Sequence, residues 1–154
     1  MALDVMRLDV QGLKNLMANA KRIGNHEVYN QAFDRLCTIK PEATMNGELS
    51  SDPIVLECWR AIHAAEQIKT EINKKTTLLN RTRQKISRDG IIETMQSLAL
   101  KKNPSDGFSI LVEAGMPHLV FEYIIVKHPE RFSSEAVIAS QRRLAQHGIE
   151  LKND

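Results

Sequence analysis

Residues 52–73 read DPIVLECWRAIHAAEQIKTEIN and decide the fold class. Asp52 can accept hydrogen bonds from the unpaired N–H groups of a first helical turn, and Pro53 supplies the backbone angle that this turn requires. Apolar residues then repeat at helical spacing: Val55, Cys58, Trp59, Ile62, Ala65, Ile68 and Ile72. We therefore predict a long helix to about Asn73. The sequence leaves open whether this helix runs on or whether Thr76 or Thr77 caps a separate one.

The chain before this helix predicts an antiparallel helical hairpin over residues 9–40. A first apolar stripe ends at Gly24, a residue type that commonly terminates helices, and Asn25 can cap the next helix. Two stripes at helical spacing supply the buried faces: Val10, Leu13, Leu16, Met17 and Ala20, then Val28, Ala32, Phe33, Leu36 and Cys37. Residues 41–51, which contain Gly47 and two serines, are typical of a surface loop.

The chain after Asn73 predicts several shorter helices. Asp89-Gly90 interrupts the apolar pattern before a helix that ends near Lys102, and a loop over 103–107 precedes the next one. Residues 119–127 fit a helix or a buried strand; we expect a helix, because no second convincing strand exists to pair with them. Ser133 is a cap for the last helix, and Gly148-Ile149 predicts a Schellman ending.

These elements together predict an all-α fold. We expect one domain over residues 1–154, a compact bundle of about seven or eight helices. The bundle begins with the antiparallel hairpin 9–40, and the loop 41–51 joins it to a main helical bundle over 52–151.

The composition indicates an ordered protein of an ordinary kind. Apolar residues make up 42% of the chain and charged residues 26%, close to the averages for globular domains. Cys37 and Cys58 stand on apolar stripes without a Cys-x-x-Cys pair, which favours reduced thiols over a disulfide. The N-terminus has no secretory pattern, and the apolar run 119–126 is far shorter than the ~20 residues that span a bilayer. We expect a cytoplasmic protein without a membrane segment.

The motifs of the common enzyme classes are missing. The sequence contains no phosphate-binding loop, dinucleotide fingerprint, nucleophile elbow or His-Glu-x-x-His motif. His63 and Glu66 stand three residues apart, which we interpret as a surface hydrogen bond rather than a metal or acid–base site. Cys37 is interpreted as a core thiol rather than a nucleophile. We expect no metal, no cofactor and no catalytic residue, and hence a protein that is not an enzyme.

Positive charge is concentrated in residues 69–102, which we call the basic segment. It contains nine Lys or Arg and three acids, a net charge of +6 within a chain of net charge +2. On a helix, Arg81, Lys85 and Arg88 lie along one flank and Arg83 lies on the other. We call these four the central cations; Lys74, Lys75, Lys101 and Lys102 are expected as outer contacts.

Such a surface attracts the phosphates of DNA or RNA without reading their sequence. The segment contains no aromatic residue, which argues against recognition of single strands by stacking. We therefore expect binding to nucleic-acid backbone. One alternative is an interaction or accessory subunit that uses the same charges on an acidic protein partner. Another is an oligomer contact through the apolar run 119–126.

Three blocks of the sequence resemble small helical proteins of proteobacteria with no assigned function. They are NRTRQKI at 80–86, DGFSILVEAG at 106–115 and EYIIVKHPERF at 122–132. The segment 16–36 is similar to helical segments of mobile-element proteins and of nuclease-associated modules. The resemblance implies a nucleic-acid context and brings no catalytic residue with it.

Overall fold

The computed structural model describes residues 7–39, 44–45, 48–49 and 51–151. Eight α-helices lie in this part of the chain: α1 (Val10–Ile23), α2 (His26–Ile39), α3 (Pro53–Asn73), α4 (Asn80–Asp89), α5 (Ile91–Leu100), α6 (Asp106–Glu113), α7 (Phe121–Lys127) and α8 (Ser134–Gln146). Short 3-10 turns at Pro117–Leu119 and Pro129–Arg131 flank α7. The predicted all-α class is confirmed.

The chain divides into two compact units, Met1–Ala64 and Ala65–Asp154, with the division inside α3. The first unit contains the predicted hairpin, since α1 packs on α2 across a two-residue connection. Gly24 adopts a left-handed conformation at φ 76°, and the Asn25 side chain accepts a hydrogen bond from the Val28 N–H. Both predicted signals therefore operate as expected. The extent of the domain over 1–154 stays a prediction.

Residues 41–51 lie mostly outside the described residues. The described part contains β1 (Thr44–Met45) and β2 (Glu48–Leu49), which pair antiparallel with Thr44 opposite Leu49. The expected loop is therefore a short hairpin where it is described.

The predicted core thiols are both buried. Burial raises the pKa of the Cys58 thiol to about 12, so this group stays protonated at neutral pH. His63 is also fully buried, contrary to the expected surface position; its Nδ1 lies 2.9 Å from the Cys37 carbonyl oxygen, and its ring stacks on Trp59. His63 is a packed residue of the first unit.

The helix that begins at Asp52 ends at Asn73, and a separate helix follows only at Asn80. Neither Thr76 nor Thr77 begins it. The Thr77 hydroxyl donates to the Lys75 carbonyl, and the Thr77 N–H donates to the Thr70 hydroxyl. Residues 74–79 therefore fold back along the last turns of α3 before α4 starts.

The later helices follow the local signals closely. Ser133 accepts from the Ala136 N–H, and the Ile149 N–H donates to the Leu144 carbonyl as a Schellman ending requires. The loop expected over 103–107 ends earlier, because Ser105 caps α6 through the Phe108 N–H. Residues 121–127 are helical, so the expected helix is confirmed over the strand alternative.

The apolar run 119–126 lies largely in the core of the second unit. Leu119, Val120, Tyr123, Ile124 and Ile125 are all buried. The expectation of excess apolar surface for an oligomer contact there is wrong, because α7 packs this face against α5 and α8.

Candidate nucleic-acid interface

Arg83 is bound by Glu66, 17 residues earlier on α3. Its Nε and Nη2 donate to the two carboxylate oxygens at 2.6 and 2.7 Å, and the Glu66 side chain is only 1% exposed. Glu66 also accepts the Leu79 N–H at 2.8 Å, immediately before α4. The Arg83 side chain is 22% exposed. Arg83 is therefore not the freely exposed cation that the sequence predicts, because its guanidinium joins α4 to α3.

Lys85 and Arg88 share one carboxylate. Asp89 lies just past the run that contains the central cations; it accepts from Lys85 Nζ at 3.2 Å and from Arg88 Nε at 3.1 Å. The hydrogen bond from Arg88 has the largest effect in lowering the pKa of Asp89, and the hydrogen bond from Lys85 has the second largest. This carboxylate therefore stays charged at neutral pH. The two cations remain at the surface, but half of their charge is neutralised locally.

Arg81 differs from the other three central cations because it lines a groove in the second unit. The groove has a volume of about 520 Å³. It brings Arg81, in the first turn of α4, together with Lys69 on α3 and Lys101 just after α5. Among the described residues, these three side chains have no ion-pair partner.

Two buried contacts position the walls of the groove. Glu66 fixes the start of α4 as described above. Arg143 of α8 donates to the backbone carbonyls of Leu98 and Lys101, both of which line the groove. Arg143 also binds Glu122 of α7 at 3.1 Å. Buried side chains of the second unit therefore hold residues of the groove in place.

The lining combines donors with an aliphatic wall. The polar side chains beside the three cations are Asn80, Thr82, Asn103 and Ser105, and Asp106 is the single carboxylate among the lining residues. The aliphatic residues of the lining, which we call the aliphatic wall, are Leu78, Leu79, Leu98 and Pro104. Such a lining suits a ligand that carries negative charge and acceptor oxygens.

Of the four expected outer contacts, one lines the groove. Lys74, Lys75 and Lys102 are exposed but do not line the groove, whereas Lys101 does. Lys69 belongs to the basic segment and lines the groove, although the sequence does not predict it as a contact. Its position 12 residues before Arg81 carries no helical signal, and only the fold-back of residues 74–79 brings α3 and α4 together.

The described residues hold no group of three or more His, Cys, Asp or Glu side chains suited to a metal ion. Within the same residues, every helix is too short or too polar to cross a bilayer. Glu66 is buried and bound to Arg83, not part of a surface hydrogen bond with His63 as expected. Comparison of the chain with protein-family models, curated proteins and solved structures finds no match.

Proposed function

We propose that this protein binds the phosphate backbone of DNA or RNA and is not an enzyme. Lys69, Arg81 and Lys101 are the central contacts, and Lys74, Lys75 and Lys102 are outer ones. The observation that carries the proposal is the convergence of three cations on one groove without a carboxylate partner among the described residues.

Charge pairing separates the three groove cations from Arg83, Lys85 and Arg88. Arg83 forms a bidentate pair with Glu66, and Lys85 and Arg88 share Asp89. A cation that already binds a carboxylate releases little free energy when a phosphate approaches, whereas an unpaired one releases the counterions of that phosphate.

The lining also favours phosphate and sugar as the ligand. Amide and hydroxyl side chains such as Asn80, Thr82 and Asn103 are the groups that contact backbone oxygens in protein–nucleic-acid complexes. The same cations would attract an acidic protein face, which makes that partner the alternative outcome of the test.

The test compares two variants with the same change in net charge. Arg81→Ala/Lys101→Ala removes two groove cations, and Lys85→Ala/Arg88→Ala removes the two that share Asp89. Fluorescence anisotropy with a labelled duplex and a labelled single strand measures the dissociation constant near 0.15 M salt. Loss of two phosphate contacts predicts roughly 30-fold weaker binding for the groove variant. The paired-cation variant should change several-fold less.

Equal losses in the two variants would show that only net charge matters and would overturn the groove as the site. Absence of binding by the unmodified protein would overturn the nucleic-acid proposal and favour the acidic protein partner.

A further inference from the structure

We propose that the groove receives the phosphorylated end of a nucleic-acid strand. The terminal phosphate lies among Lys69, Arg81 and Lys101, and the terminal nucleoside lies against the wall formed by Leu78, Leu79, Leu98 and Pro104. The inference rests on the proposed function and names the part of the strand that this site recognises.

The size of the groove is the first argument. Contact with a backbone phosphate needs only a patch of surface, whereas a volume of about 520 Å³ lies within the range of pockets that enclose small ligands. The groove therefore has room for a nucleotide, not only for its phosphate.

The charge of the lining is the second argument. Three cations and the carboxylate of Asp106 give the lining a net charge of +2. A phosphate in the interior of a strand carries one negative charge. A terminal phosphomonoester carries about −1.5 to −2 at neutral pH and therefore matches the lining more closely.

The aliphatic wall is the third argument. Leu78 is 42% exposed although it is a large apolar side chain, and it lines the groove beside the cations. Binding of a nucleoside would cover part of this apolar surface. An interior nucleotide would first have to leave the stack on both sides, whereas a terminal one is stacked on one side only. The end of a strand enters the groove at lower cost.

The experiment uses one short single-stranded oligonucleotide, labelled in its interior, in three forms: with a 5′ phosphate, with a 3′ phosphate and with hydroxyls at both ends. One phosphorylated form should bind at least about fivefold more tightly than the hydroxyl form, because it adds negative charge beside three cations. The preference should disappear in Arg81→Ala/Lys101→Ala and persist in Lys85→Ala/Arg88→Ala. Circular dichroism of each variant checks that it is folded.

Competition separates a strand end from a free anion. Adenosine monophosphate should displace the phosphorylated oligonucleotide at lower concentration than inorganic phosphate, because only the former reaches the aliphatic wall. Equal affinity for all three oligonucleotides, or a preference that the groove variant retains, would overturn the inference. Salt-dependent binding of the hydroxyl form would still support the proposed function, and no binding of any form would overturn both.

Discussion

Glu66 is the residue on which the geometry of the interface depends most. It is almost completely buried, and its two oxygens accept from the Arg83 guanidinium and from the Leu79 backbone N–H. A buried carboxylate needs such partners, because transfer of an unpaired charge into the interior is costly. The contact fixes the start of α4 and with it the position of Arg81.

Removal of Glu66 alone should destabilise the protein strongly. Glu66→Leu removes the buried carboxylate that binds the partly buried Arg83 guanidinium and the Leu79 N–H, and we expect a loss of roughly 3 kcal/mol in the free energy of unfolding. The double variant Glu66→Leu/Arg83→Met should lose at least about 1 kcal/mol less than Glu66→Leu does, because the guanidinium is removed together with the carboxylate that binds it. Urea unfolding of Glu66→Leu, Arg83→Met and the double variant measures the coupling. Additive losses would contradict the structural role of the pair.

Glu122 predicts a pH dependence of stability. Burial raises the pKa of its carboxyl above the ordinary value of 4.5, against the opposing effect of the Arg143 hydrogen bond. The folded state therefore binds the proton more tightly than the unfolded chain does. The resulting stabilisation is fully present below pH 4.5 and is lost as the pH rises through the raised pKa of the folded state.

The measurement is the free energy of unfolding at pH 4, 5.5 and 7 for the unmodified protein and for Glu122→Gln. The unmodified protein should lose stability relative to this variant as the pH rises, since glutamine does not titrate. Glu93→Gln, which replaces an exposed carboxyl on α5, serves as the control. A rise in relative stability over the same range would show that the pKa of Glu122 is lowered instead.

At the scale of elements, α4 and α5 are separated by a single residue, Gly90. Its backbone angles, φ 90° and ψ 168°, lie in a region that only glycine occupies readily. Apart from its two chain neighbours, no described residue has an atom within 4 Å of the position that a Cβ would take, so we attribute the penalty for a side chain there to the backbone. The turn lets α5 begin immediately after the last cations of α4.

Gly90→Ala should lower the free energy of unfolding by about 1–3 kcal/mol for this reason. The control is Gly107→Ala in α6, where a Cβ would meet Leu79 at an ordinary 3.8 Å. The control should be neutral or slightly stabilising, since alanine restricts the unfolded chain. Thermal unfolding monitored by circular dichroism compares the two. Similar melting temperatures would contradict the backbone argument.

Local signals explain why the helices were predictable from the sequence. Caps such as Asp52 and Ser133 and the Schellman ending at Gly148 depend on residues within four or five positions of one another. The start of α4 was not predictable, because its cap position is occupied by Leu79 and its N–H partner, Glu66, lies 13 residues earlier. Asp89 stands at i+4 from Lys85, so the spacing in the sequence already indicates this neutralisation.

At the scale of the whole molecule, the basic segment contains two kinds of cation: those that form ion pairs within the protein and those that can bind a ligand. The sequence predicts the excess of cations over residues 69–102, but it cannot show which of them meet a carboxylate on another helix. Arg83 is not a candidate contact because it binds Glu66 on another helix. Lys69 is one because residues 74–79 fold back and bring it to the same groove as Arg81. Pairings over such distances depend on tertiary packing, which composition and periodicity do not encode.

The most direct test of the central claim is the salt dependence of nucleic-acid binding. For each phosphate contact, the logarithm of the association constant falls with the logarithm of the salt concentration by about 0.9 on duplex DNA. We predict that Arg81→Ala/Lys101→Ala lowers the magnitude of this slope by about 1.8, whereas Lys85→Ala/Arg88→Ala lowers it much less. Slopes that fall equally in both variants, or that do not change in the groove variant, would contradict it.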